Sequence, residues 1–73
     1  MASIAKVIEI LAQGDTIEQA VENAVAEASK SVRNIRHVYI NEQQAHVKDN
    51  KVIGYRVNCK VTFVVGDDNT DMG

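Results

Sequence analysis

At 73 residues the chain is one domain near the lower end of what folds alone, and an apolar content of 45% puts it with globular rather than disordered proteins. Its formal net charge of −2 argues against nucleic acid as the main partner, since such proteins carry a basic stripe. The single cysteine, Cys59, excludes an intrachain disulfide, and its distance from the two histidines leaves no spacing typical of structural zinc.

Met1-Ala2-Ser3 leads straight into a charged, alternating segment rather than the apolar stretch of a secretory signal, and no apolar run approaches the length of a membrane span. Ile4 to Ala12 then reads as a strand. It is rich in β-branched residues, lacks Gly and Pro, and is apolar on both sides apart from Lys6 and Glu9. Such a strand suits a sheet covered twice, once by its own helix and once by a neighbour.

Gln13-Gly14-Asp15 is the break, and Thr16 has the character of a helix N-cap. Gln19, three residues on, completes a capping box, and Glu18 in the first turn suits the positive end of the helix dipole. From Ile17 to about Val32 the residues Ile17, Ala20, Val21, Ala24, Val25, Ala28 and Val32 form a stripe of 3.6-residue period. Glu18, Glu22, Asn23, Glu27 and Lys30 fall on the other side. Alanines on the buried stripe let a helix lie close against a sheet.

The second half predicts a hairpin, His37–Val47 and Val52–Val65, closed at Lys48-Asp49-Asn50-Lys51 by residues that tolerate positive φ. Tyr55, Val57, Cys59, Val61, Phe63 and Val65 alternate with Arg56, Asn58, Lys60 and Thr62. A turn centred on Asp49-Asn50 pairs Ile40 with Cys59 and Val38 with Val61. It also sets His37, Tyr39, Asn41 and Gln43 opposite Thr62, Lys60, Asn58 and Arg56. One face of the hairpin is therefore apolar and the other polar. Gly54 beside the turn reads as a bulge or a close backbone approach. From Gly66 onward the acidic GDDNTDMG tail has too little apolar content to fold, which leaves residues 1–65 as the domain.

Catalytic chemistry has no foothold in this pattern. Ser29 and Ser31 lie on the helix with no base placed beside them, Cys59 falls on the apolar face, and the four glycines stand singly rather than in a phosphate-binding loop. We expect no enzyme. The polar hairpin face must meet water, a ligand or a polar subunit interface, and two such faces in an oligomer enclose a pocket for a small molecule. Self-association is also the staple this chain needs, because a core of this size supplies only about 3–5 kcal/mol without disulfide or metal. A reducing cytoplasm is the expected location.

The element order and several local strings resemble the dodecins. They include Lys6-Val7-Ile8-Glu9-Ile10, Thr16-Ile17-Glu18-Gln19-Ala20 and Asn23-Ala24-Val25. They continue with Ala28-Ser29-Lys30-Ser31-Val32-Arg33-Asn34-Ile35, Asp49-Asn50-Lys51-Val52, Tyr55 and Lys60-Val61-Thr62-Phe63. The resemblance covers nearly the whole chain. It implies an α+β fold of β-α-β-β order, with a three-stranded antiparallel sheet wrapped around one helix. It further implies twelve copies in a hollow shell, often holding flavins.

Flavin-binding dodecins stack the ring on a tryptophan that opens the second strand and hydrogen-bond its edge through a glutamine on the third. Those positions fall here on His37 and Arg56, and the candidate cofactor-binding set is His37, Arg56, Tyr39 and Gln44. An imidazole offers less stacking area than an indole, and Arg56 only donates where glutamine both donates and accepts. The resemblance implies a homo-dodecamer storing or buffering a flavin, FMN or riboflavin, without turnover, and with no nucleic acid or membrane partner. A flavin-free shell binding another small anion or a metal ion, and a purely structural or partner-binding oligomer, stay beside that reading.

Overall fold

A computed structural model of the chain describes residues 3–66. Its elements are β1 (Ser3–Gly14), α1 (Ile17–Ala28), β2 (Ile35–Lys48) and β3 (Lys51–Gly66). The three strands form one antiparallel sheet in the order β1-β3-β2, with the helix on one face. This is the expected β-α-β-β fold. β3 runs to Gly66, where the tail was expected to begin, and residues 67–73 of that tail lie outside the described residues.

The helix starts where its cap residues dictate. Thr16, in extended backbone geometry, accepts the Gln19 N–H at 3.0 Å, while the Gln19 side chain accepts the Asp15 N–H at 2.7 Å. Gln19 thus reaches one residue further back than a simple capping box. α1 ends at Ala28, short of the expected Val32. There Ser29 Oγ donates to the Ala26 carbonyl at 2.8 Å, and a turn through Ser31 replaces the regular ladder. Val32 N–H still bonds the Ala28 carbonyl at 3.0 Å, and its side chain stays packed on the core.

The core lies between the helix stripe and the inner sheet face. Ala20, Ala24 and Ala28 meet Val57, Cys59 and Val61, all six essentially inaccessible, with Ile8, Ile10, Ile17, Val21 and Val38 packed around them. Phe63 is buried too, and so is Val64, whose N–H donates to Asn34. Close approach of helix and sheet depends on Gly14 as well as on the alanines. A Cβ there would stand 2.7 Å from Ala20 N, whereas one on Gly54 would meet nothing nearer than 3.5 Å. The tight backbone approach sits at Gly14, and Gly54 borders a bulge instead.

The turn is a two-residue loop with Asp49 at φ 54° and Asn50 at φ 63°, the left-handed pair that matches strand twist. Its register pairs Val38 with Val61 and Ile40 with Cys59, as the spacing predicts. Between Ile40 and Val47 the expectation fails, because a second irregularity at His46/Val47 separates this stretch from the turn. A bulge leaves Asn41 unpaired, so Glu42, not Asn41, faces Asn58, and Gln44, not Gln43, faces Arg56. The extra residue reverses the facing of the β2 side chains in this stretch.

Candidate functional site

The sheet face turned away from the helix is built from four cross-strand rows. In the order β1, β3, β2 they are Val7–Thr62–His37, Glu9–Lys60–Tyr39, Leu11–Asn58–Glu42 and Gln13–Arg56–Gln44. Strand alternation sends these side chains outward because Val57, Cys59 and Val61 occupy the inward positions. Glu9 and Lys60 make an opposite-charge pair across the strands. At the far end of the face the carboxylate of Glu42 and the guanidinium of Arg56 keep local charge near neutral.

Leu11, Glu42, Gln44, Arg56 and Asn58 line a shallow pocket of about 180 Å³. Two atoms in it are unusual. Arg56 Nε and Asn58 Oδ1 are both shielded from solvent, and neither has a hydrogen-bond partner among the described residues. A buried donor and a buried acceptor left unpaired each cost about 1–3 kcal/mol, so the protomer alone leaves this site incomplete.

Of the four candidate residues, Arg56 and Gln44 come together as a cross-strand pair at this pocket. His37 and Tyr39 do not join them. His37 faces Thr62, six positions along β3 from Arg56, which is about 20 Å at ~3.4 Å per strand residue. His37 and Tyr39 are exposed at the other end of the same face. Leu11, Glu42 and Asn58 complete the pocket without having been in the candidate set. Four consecutive polar residues, Asn41 to Gln44, interrupt the alternation of β2 and were the sequence signal of the bulge that brings Glu42 here.

Two further surfaces bear on how the face is covered. Leu11 is 61% exposed, and Val7 and Tyr39 are similarly open. The β2–β3 pair also runs on past the end of β1 as a free hairpin arm, with Val47, Val52 and Ile53 all more than half exposed. Among the described residues no group of three or more His, Cys, Asp or Glu is placed to hold a metal ion, and no helix is long and apolar enough to cross a membrane.

The sequence matches the Dodecin family profile over residues 4–66, nearly all of the described chain. The chain belongs to the dodecin family. No curated protein matches it, but solved dodecins share its fold. A variant of the dodecin from T. thermophilus superposes with a TM-score of 0.82 at 22% identity, covering 90% of this chain and 100% of that one. The dodecin from Streptomyces coelicolor gives 0.80 at 26% identity over 89% and 94% of the two chains. A calcium-chelating antigen from Mycobacterium tuberculosis, named calcium dodecin, gives 0.71 at 36% identity over 82% and 87%. As a dodecin, the chain keeps the sheet and helix that the solved members share.

Proposed function

We propose that this protein is a cytoplasmic, non-enzymatic homo-dodecamer that binds and buffers a flavin, FMN or riboflavin, at sites shared between copies. The observation that carries this reading is the unpaired Arg56 Nε and Asn58 Oδ1 in a pocket of about 180 Å³. Drug-sized ligands occupy roughly 300–1,000 Å³, so a flavin needs walls from a second copy. The same follows for the stacking position, since His37 lies about 20 Å from Arg56 within one chain. A ring edge held at Arg56 is stacked by His37 of a different copy.

Flavin affinity is expected to be weaker than a tryptophan–glutamine site would give. Base–aromatic stacking contributes roughly 1–3 kcal/mol, so losing most of it lowers affinity about tenfold to a hundredfold. Arg56 adds a positive charge, and phosphate-bearing FMN should lose less than riboflavin. Titration of wild type and a His37→Trp, Arg56→Gln double variant, followed by quenching of flavin fluorescence, tests this directly. A gain of binding in the variant supports the reading. No binding in either protein, with an intact dodecamer, overturns it.

The M. tuberculosis relative named for calcium favours a second reading, a flavin-free shell holding a metal ion. The ligands would then come from several copies, given that no single-chain cluster exists among the described residues. A thermal shift with calcium that EDTA reverses, in protein that ignores flavin, would select it.

A further inference from the structure

The candidate ring-edge residue is deficient in one respect. Arg56 presents donors only, so a ligand edge that carries an N–H beside its carbonyl would leave that N–H unanswered. Asn58 stands two residues on along β3, on the same face and in the same pocket, and its Oδ1 is shielded from water with no donor to accept from. Arg56 Nε is equally shielded and unpartnered, and the two side chains do not bond each other. One buried donor and one buried acceptor lining the same pocket call for a ligand edge that both accepts and donates, as a carbonyl next to an N–H does.

We infer that Asn58 is a specificity-determining residue of this site, whose Oδ1 accepts the imide N–H of a heterocycle while Arg56 donates to the adjacent carbonyl. This rests on the ligand-binding reading above and narrows its chemistry. A simple anion satisfies Arg56 but strands Asn58 Oδ1, and it meets the carboxylate of Glu42 in the same pocket. At the ring edge the pocket therefore selects an imide or ureide over a bare phosphate or carboxylate, a choice that leaves aside a phosphate carried at the far end of a ligand. Leu11 offers an apolar wall to the ring beside that edge.

The test uses the assembled protein with riboflavin and 3-methylriboflavin, in which the imide N–H is replaced by a methyl group. Wild type is expected to bind the methylated compound roughly tenfold more weakly, the worth of one hydrogen bond to a buried acceptor. In Asn58→Leu, riboflavin affinity should fall by a similar factor and the preference for the unmethylated ring should vanish. Glu42→Gln removes a charge without removing an acceptor, and it should keep the preference. An Asn58→Leu protein that still prefers riboflavin tenfold overturns the inference. So does one that loses its assembly while residual binding keeps the same preference, which would make Asn58 a subunit contact. Inorganic phosphate displacing riboflavin from wild type as effectively as 3-methylriboflavin does would also overturn it. Absence of riboflavin binding in wild type sinks the function proposal itself, a result distinct from each of these.

Discussion

The Cys59 thiol lies in the innermost layer of the core, between Val57 and Val61 and opposite the helix alanines. Burial pushes its pKa above the ordinary value of 9.0, so the thiol stays neutral in the fold. A group raised in the folded state stabilises fully below its unfolded pKa and loses that contribution as pH rises through the folded one. Native protein should therefore resist a thiol reagent at pH 8 and react fully in denaturant. Cys59→Val should blunt the loss of stability above about pH 9, read as the urea midpoint against pH. Gly14 works through space rather than charge. Gly14→Ala drives a methyl group to within 2.7 Å of Ala20 N and should cost about 1–3 kcal/mol, while Gly54→Ala, with its nearest atom at 3.5 Å, should cost much less.

Each element has local reasons to form, and the helix shows them most fully. Its start combines the Thr16 cap with Gln19 reaching back to Asp15, and Asn23 Nδ2 ties its middle to the Gln13 carbonyl at 2.8 Å. The Glu27–Lys30 ion pair at 3.1 Å is exposed and adds little. Thr16→Ala is expected to lower stability by about 1 kcal/mol, and Thr16→Ser to restore most of it, by chemical denaturation at fixed protein concentration. The stripe of Ala20, Ala24 and Ala28 sets the distance from helix to sheet. In the hairpin, Asp49 and Asn50 close the turn and the Asn41 bulge re-aims the strand. Deleting Asn41 should close the bulge and leave Glu42 opposite Asn58 and Gln44 opposite Arg56, because Ile40–Cys59 and Glu42–Asn58 then become consecutive pairs.

At the scale of the molecule, the protomer is not shaped to exist alone. Its radius of gyration is 14.5 Å, against about 11 Å for a compact domain of 73 residues, and it extends 55 Å along its longest axis. Val47, Val52 and Ile53 are exposed on the arm, and Val7, Leu11 and Tyr39 on the outer face. Scattered apolar residues need no partner, but two such surfaces on so small a core do. Light scattering should find a dodecamer at micromolar concentration, and a well-folded monomer there would refute the assembly. Val52→Asp should shift the mass to smaller species and lower the melting temperature, because a charge on the arm would be buried at a copy–copy contact.

Much of this architecture could be read from patterns confined to short stretches of chain. The helix stripe, the Thr16 cap, the Asp49-Asn50 turn and the alternation from Val57 to Phe63 each depend on neighbours a few residues away, so local physics suffices for them. The strings shared with dodecins are likewise a property of the linear chain, and the family profile bears them out. The pocket was decided elsewhere. The irregularities at Asn41 and at His46/Val47 together set which β2 residues face Arg56 and Asn58, and whether they form depends on how β2 packs against β3, not on the propensity of Asn41. Leu11 joins Arg56 and Asn58 only because β1 pairs with β3 across the chain's full length. The separation of His37 from Arg56 has the same origin. Eighteen residues of intervening chain say nothing about distance until the hairpin register sets it, and that register puts the two ends of the candidate site about 20 Å apart.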